Sequence, residues 1–328
     1  MHGGATGPGD QDFNVQVSPS PLVLTLTPGQ AQTTTITVRN FSTHSETLRV
    51  KLSGFTLGHQ QEINFTDDTP GNLAAWVSFD KPTIALGAGQ STTLSIHFAT
   101  PTDVGFSYAF AVVLSRADAA APLNTVGAQL HASIAVFCLA NINRSDATST
   151  LELGQLRTDK THYTFLPVSF ALSVKNTGNV ISQPGGTIFI QRAFDSATPI
   201  AALPINPRHG YILPGQSRTF STSWASGFPV YVSTTANGKT SVHLNWNLKH
   251  IGEFRFGKYV AKAVVVYSNG QQDIPLIAST SFWVIPWWLL ISGILLLIVL
   301  LTGVVGWGWL LFKGTKKVKR YAARRSKV

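Results

Sequence analysis

Leu24-Thr-Leu-Thr-Pro-Gly-Gln-Ala-Gln-Thr-Thr-Thr-Ile-Thr-Val38 reappears sixty residues on as Ile84-Ala-Leu-Gly-Ala-Gly-Gln-Ser-Thr-Thr-Leu-Ser-Ile-His-Phe98. A third copy is Tyr211-Ile-Leu-Pro-Gly-Gln-Ser-Arg-Thr-Phe-Ser-Thr-Ser-Trp224. Each copy reads as a strand, a tight turn at Gly29, Gly89 or Gly215, and a second strand, together a hairpin. Glycine belongs there because the turn needs a positive φ, which costs little only without a Cβ. After each turn the apolar residues fall at every second place: Ile36 and Val38, then Leu94, Ile96 and Phe98, then Phe220 and Trp224. That period places them on one face of a half-buried strand.

The same alternation extends outward from these copies. Strands are predicted over Leu48–Leu52, Ala75–Phe79, Tyr108–Leu114 and Leu130–Leu139, then over Phe165–Val174, Thr187–Ile190, Val242–Trp246, Tyr259–Tyr267 and Ala278–Val284. In the fifth of these, Val168, Phe170, Leu172 and Val174 face one way. Short strands every 8 to 15 residues, with no helical period over three turns, favour sandwiches over a βαβ fold. The fold class expected is an all-β ectodomain of two tandem immunoglobulin-like β-sandwiches followed by one transmembrane helix. The polar stretch Asn141-Ile-Asn-Arg-Ser-Asp-Ala-Thr-Ser-Thr150 divides the sandwiches. The expected layout is a flexible Gly-rich leader over 1–12, a first sandwich over 13–140, a linker over 141–150 and a second sandwich over 151–285. A membrane helix over 286–312 and a basic tail over 313–328 complete it. Tyr108 and Tyr259, just after Gly105 and Gly257, stand where a tyrosine-corner bond of hydroxyl to backbone forms, or are plain strand-entry aromatics.

From Trp287 to Phe312 no residue is charged. As a helix this run spans roughly 39 Å, against about 30 Å of bilayer hydrocarbon, and a lone spanning segment must be helical because lipid offers its backbone no partner. Trp283, Trp287 and Trp288 at one end and Trp307 and Trp309 at the other match two interfacial belts, and Pro286 suits the first turn. Lys313, Lys316, Lys317, Lys319, Arg320, Arg324, Arg325 and Lys327 follow with no acid among them. Such a stop-transfer cluster stays cytoplasmic and meets membrane lipid, so residues before about 285 are expected outside the cell membrane. Those eight account for most of the +10 formal charge, leaving 17 Lys and Arg against all 15 acids elsewhere. The nearly neutral remainder has no footprint for nucleic acid.

An exported amino-terminal domain needs a signal peptide, yet Met1 to Asp12 has no apolar core. The expectation is that the signal was removed from this sequence or that its start is set too late. Cys138 is the lone cysteine, which excludes an intrachain disulfide and points to a bacterial surface protein. Within Ala135-Val-Phe-Cys-Leu139 it reads as a small core residue. His97 and His131 read as satisfied strand residues. Asp10 with Asp12, and Asp67 with Asp68, are too few for a calcium site. The sequons at Asn40, Asn64 and Asn143 match chance. No zinc-protease pair, nucleophile elbow or phosphate loop is present, so no catalytic, metal or cofactor residue is assigned and no cofactor is expected.

Taken in order, these segments resemble the WxL-interacting surface proteins of Gram-positive bacteria and other monoderm lineages. The likeness is carried by the Pro-Gly-Gln turn, Ala75-Trp-Val-Ser-Phe79, Val174-Lys-Asn-Thr-Gly-Asn179, Tyr211 to Trp224, Phe256-Gly-Lys-Tyr259 and the junction Phe282-Trp-Val-Ile-Pro-Trp287. It covers most of residues 15–312. It implies a first sandwich of peptidoglycan-binding type, a second sandwich, a spanning helix and a basic tail, with cell-wall glycan or an exported surface protein as partner. The function expected is a noncatalytic surface protein that binds such a partner and tethers it near the membrane. The alternatives are an accessory subunit of a larger membrane complex, with Gly293, Gly303, Gly306 and Gly308 allowing close helix packing, or a surface enzyme with an unrecognised loop site.

Overall fold

The computed structural model describes residues 13–57, 63–66, 68–117, 132–195, 198–236 and 238–325. The leader over 1–12, Asp67, His131 and Lys327 lie outside them. The chain is mostly β-strand with one carboxy-terminal helix.

Among the described residues ten strands precede residue 143. These are β1 (Val15–Ser18), β2 (Leu22–Leu26), β3 (Ala31–Asn40), β4 (Glu46–Leu57), β5 (Ile63–Thr66), β6 (Val77–Phe79), β7 (Thr83–Leu86), β8 (Ser91–Ala99), β9 (Ser107–Arg116) and β10 (Ser133–Ile142). One sheet has the order β1-β3-β8-β6. The other has the order β2-β10-β9-β4, with β5 and β7 both on the far edge of β4. Inward residues of both sheets share one core, in which Ile36, Val38, Leu94, Ile96 and Phe98 meet Leu48, Phe110, Val136 and Cys138. The face each strand presents is the one the alternation predicts.

The second unit is built from β11 (Leu151–Thr158), β12 (His162–Tyr163), β13 (Val168–Asn176), β14 (Gly185–Arg192), β15 (Ala201–Ile205), β16 (Ser217–Trp224), β17 (Val230–Ala236), β18 (Lys239–Asn245), β19 (Gly257–Ser268) and β20 (Asp273–Val284). The sheets are β11-β13-β16 and β12-β20-β19-β14-β15, with β17-β18 a separate two-stranded ribbon. Val168, Phe170, Leu172 and Val174 are all buried, as is Trp224. Phe220 is only half-buried, because a pocket of about 340 Å³ opens beside it between β15 and β16.

Two expectations need correction. The repeated segments are not hairpins. β2 and β3 belong to different sheets, and so do β7 and β8. Each turn carries the chain across the core instead of folding a strand back on its neighbour. Alternation and a tight turn are common to both arrangements, and only long-range pairing separates them. The glycine reasoning holds all the same, with φ of +72° at Gly29, +71° at Gly89 and +73° at Gly215. Secondly, the strand predicted over Val242–Trp246 is present as β18, Lys239–Asn245, but it stands outside the two larger sheets of the second unit. Val242 and Trp246 are exposed, and among the described residues β18 pairs only with β17. Smaller shifts occur at element ends. Residues 70–75 form a 3₁₀ turn before β6, so the strand predicted from Ala75 starts at Val77.

The helix α1 runs from Trp287 to Arg325 without a break, so Lys313 through Arg325 continue its backbone. Its segment Trp287–Trp307 is long and apolar enough to cross a membrane. Trp287, Trp288, Trp307 and Trp309 are exposed, and Trp283 stands one turn before them at the end of β20.

Candidate functional site

A buried asparagine ends one long strand in each unit. Asn40 closes β3, and its amide donates to the carbonyls of His44 (2.8 Å), Leu86 (3.3 Å) and Gly87 (3.1 Å) while its oxygen accepts from the Ser42 N–H (2.8 Å). Asn176 closes β13, donates to Val180 O (2.8 Å) and Ile212 O (2.9 Å), and accepts from Gly178 N (3.0 Å). Each holds the glycine turn of the crossover beside it. The backbone agrees, since Asn40 N donates to Gln90 O and Asn176 N to Gln216 O, both at 2.9 Å. The sequence signal was Val38-Arg-Asn40 against Val174-Lys-Asn176, each ahead of a glycine-turn copy. Reading Asn40 only as a sequon overlooked it, and its full burial removes it from the surface.

Tyrosine does a comparable job at the strand entries. Tyr108 Oη accepts from Gly105 N (2.8 Å) and Tyr259 Oη from Phe256 N (3.1 Å), so the corner reading holds at both. Tyr163 repeats it with Lys160 N (2.9 Å), unannounced by any glycine.

These devices leave a cleft between the two units. It measures about 650 Å³ and is lined on one side by Phe55, Thr66, Asp68 and Tyr108, and on the other by Asn179 and the third glycine turn, Leu213 to Gln216. The stretch 141–150 is hydrogen-bonded at several points along its length. Asn141 exchanges two hydrogen bonds with Ile181, Nδ2 to O at 3.1 Å and N to Oδ1 at 2.9 Å. Thr148 N donates to Asn179 Oδ1 (2.6 Å), and Ser107 Oγ to Asn179 O (3.2 Å). Arg144 pairs with Asp146 at 2.9 Å and lies over Phe106, 4.6 Å from the ring centre. Its guanidinium is held more basic than usual, first by that carboxylate.

The cleft opens onto an aromatic cluster on the outer face of the second sheet of the first unit. Phe137 takes Phe55 edge-on at 5.2 Å and Phe65 nearly parallel at 6.1 Å. Phe65 is 49% exposed. Edge-on and offset pairs are the arrangements aromatic rings prefer, so the three rings support one another. None of these residues was singled out from sequence. Phe137 alternates with inward Val136 and Cys138, and an aromatic at an outward strand position was the signal available.

Elsewhere the chemistry is quiet. Ser226, His250 and Glu253 border a cavity of about 380 Å³. The Ser226 hydroxyl donates to Glu253 Oε2 (3.0 Å), and His250 Nδ1 also faces Glu253, at 3.1 Å from Oε1. The hydroxyl is thus held by the carboxylate and not by the imidazole. Glu253 is held below its usual pKa, chiefly by His250 and then by Ser226. Cys138 is buried and its thiol is pushed up to about 12 by loss of water, which suits a packing residue. His97 Nδ1 lies 2.9 Å from Thr33 Oγ1 across β3 and β8, as a satisfied strand residue should. Among the described residues no group of three or more His, Cys, Asp or Glu side chains is placed to hold a metal ion.

No protein-family model matches the chain, and no curated protein matches it. Several solved structures are similar to it. The class 5 fimbriae chaperone CfaA is 11% identical, covering 81% of this chain and 99% of its own, with a TM-score of 0.39. The E. coli chaperone DraB is 13% identical over 71% of this chain and 96% of its own, with a TM-score of 0.34. A PapD-like domain of human CEP192 is 10% identical over 44% of this chain and 97% of its own, with a TM-score of 0.28. Likenesses this distant carry nothing about ligand or activity.

Proposed function

We propose that this chain is a noncatalytic, membrane-anchored surface protein that binds cell-wall polymer and holds it close to the membrane. In this reading residues 13–140 and 151–285 are immunoglobulin-like sandwiches joined through 141–150. The α1 segment spans the membrane, the Lys313–Lys327 tail lies in the cytoplasm, and the likeness to WxL-interacting surface proteins extends to role.

The observation that carries it is the aromatic face of Phe55, Phe65 and Phe137 beside the cleft between the two units. A flat apolar ring beside hydrogen-bonding groups such as Thr66, Asp68 and Gln216 suits an extended chain of sugar rings. Apolar ring faces pack on the aromatics while hydroxyls meet the polar rim. Each contact is weak, but anchoring raises the effective concentration of a second contact on the same polymer. An exported surface protein is the second ligand class. It is favoured by β5, which ends its sheet among the described residues and offers an edge to which a partner strand can add.

Co-sedimentation of the full chain in detergent with isolated walls, with and without exported proteins, tests both. Binding to bare walls that falls after Phe65→Ser supports the first. Binding only when exported proteins are present supports the second. No association with either, together with hydrolysis of any wall substrate, overturns both. Protease added to protoplasts tests orientation, and cleavage of the basic tail from outside would reverse it.

A further inference from the structure

The second unit keeps its own exposed aromatics, and they gather at one end. β20 ends at Val284, which pairs with Gly257, and Trp283 pairs with Lys258. Ile285 N donates to Tyr163 O (2.7 Å), and α1 begins two residues later at Trp287. The turns at this end are therefore those next to Tyr163, Gly257 and Arg192, the last pairing with Tyr259. Leu166, three residues past Tyr163, bridges Val230 and accepts from Tyr231 N (2.8 Å). Phe228 bridges Phe254, which brings residues 246–256 to the same end.

The apolar side chains here face outward. Phe194 is 93% exposed, Leu248 69%, Ile251 62% and Phe256 52%. Trp246 is exposed as well, yet fixed from behind by Phe165 (6.3 Å) and Phe228 (5.8 Å). Lys249, Arg255 and Lys258 lie in the same stretch, opposed there only by Glu253, whose carboxylate is occupied by Ser226 and His250. Lys258 Nζ lies over the Trp283 ring at 6.0 Å. Exposed aromatics rimmed by cations are the composition of a membrane-interface surface. Several large apolar side chains open to water at one end are unusual on a protein that keeps them there.

We infer that this end of the second unit rests on the lipid surface, with Phe194, Leu248, Ile251 and Phe256 in the headgroup region of the outer leaflet. The inference rests on α1 spanning the membrane. The occupant is lipid because the patch is continuous with the start of α1. Only Ile285 and Pro286 separate β20 from the helix, and Ile285 is itself bonded to Tyr163. A tether of two residues leaves no room for a second protein of ordinary size between patch and bilayer. The unit would then stand on the membrane at a fixed tilt, with the cleft presented at its far end.

Spin-label accessibility in the full chain tests it, in nanodiscs of phosphatidylcholine and phosphatidylglycerol. Cysteine is placed singly by Leu248→Cys, Ile251→Cys, Phe256→Cys, Val299→Cys and, as a reference in the first unit, Val23→Cys. Buried Cys138 stays unlabelled, and the patch positions are exposed enough to tolerate the change. The expected result is loss of collision with an aqueous nickel chelate and gain of collision with oxygen at 248, 251 and 256, with the reverse at 23. Lipid exposure at 299 with nickel exposure at the three patch positions would overturn the platform and leave the span standing. Shielding of the patch from both relaxants would mean that protein covers it, which also overturns the proposal. Nickel exposure at 299 would overturn the span and the platform together.

Discussion

The two β units solve one structural problem alike and a second differently. Both end a long strand in a fully buried asparagine, Asn40 or Asn176, that ties down a glycine turn, and both pin a strand entry with a tyrosine hydroxyl. They differ in charge. The first unit buries Glu46 against Arg116, with Nε to Oε2 at 2.8 Å and a second guanidinium bond beside it, and against His44 at 2.8 Å. Among the described residues, the buried polar ones of the second are Asn176, Ser182 and Asn206, none of them charged. An amide clamp is indifferent to pH, whereas an ion pair is not. Two units with the same clamp can therefore differ in what unfolds them.

The clamps set the largest expected effect. Asn40→Ala or Asn176→Ala strands several buried carbonyls and N–H groups and should cost about 3 kcal/mol each, confined to its own unit. Hydrogen exchange on the full chain resolves the two units, and spread of either effect into the other unit would mean that they unfold as one. Next comes the ion pair. Arg116→Ala leaves a buried carboxylate with only His44 and should cost about 2 kcal/mol, since Arg116 is partly exposed and the histidine remains. Trp76, the only tryptophan before Trp224, reports this loss by fluorescence.

Acid should sharpen the contrast. Arg116 holds the Glu46 carboxyl below its ordinary value of 4.5, outweighing the opposing effect of burial. A depressed carboxyl contributes stability that is fully present above the unfolded pKa and is lost as pH falls through the folded one. The first unit should thus weaken below about pH 4.5 more than the second, whose own depressed carboxyl, Glu253, is more exposed and screened by solvent, and in Arg116→Ala that difference should shrink. Equal acid sensitivity of the two units would remove Glu46 as the cause.

Smaller effects follow at the turns. Gly89→Val and Gly215→Val should each cost about 1 kcal/mol for a positive φ alone. Gly29→Val should cost more, because its Cβ would also meet Thr102 Cγ2 at 3.1 Å. Thermal unfolding of the three variants ranks them, and parity would mean that Thr102 moves aside. Cys138→Ala removes only one buried sulfur and should cost about 1 kcal/mol with wall binding unchanged.

Much of this was legible along the chain, because alternation with period two states which face a residue presents and an uncharged apolar run states what solvent a helix prefers. The inward residues Ile36, Leu94, Phe170 and Trp224, the left-handed glycines at 29, 89 and 215, and the helix from Trp287 all follow from local pattern, whereas for Tyr108 and Tyr259 the pattern left a corner bond and a plain strand-entry aromatic open. Each depends on a residue and its immediate neighbours, and the physics that sets it acts over a few ångströms of backbone.

Partnership is another matter. That β2 and β3 enter different sheets, that Glu46 meets Arg116 seventy residues away, that Phe55, Phe65 and Phe137 share one outward face and that Asn141 grips Ile181 are consequences of pairing between distant strands. Alternation gives a strand its face without giving it a neighbour, since the backbone hydrogen bonds that join strands are the same for every sequence. Which neighbour wins is decided only when all the inward faces close on common cores. The cleft and the aromatic surface come into being at that step.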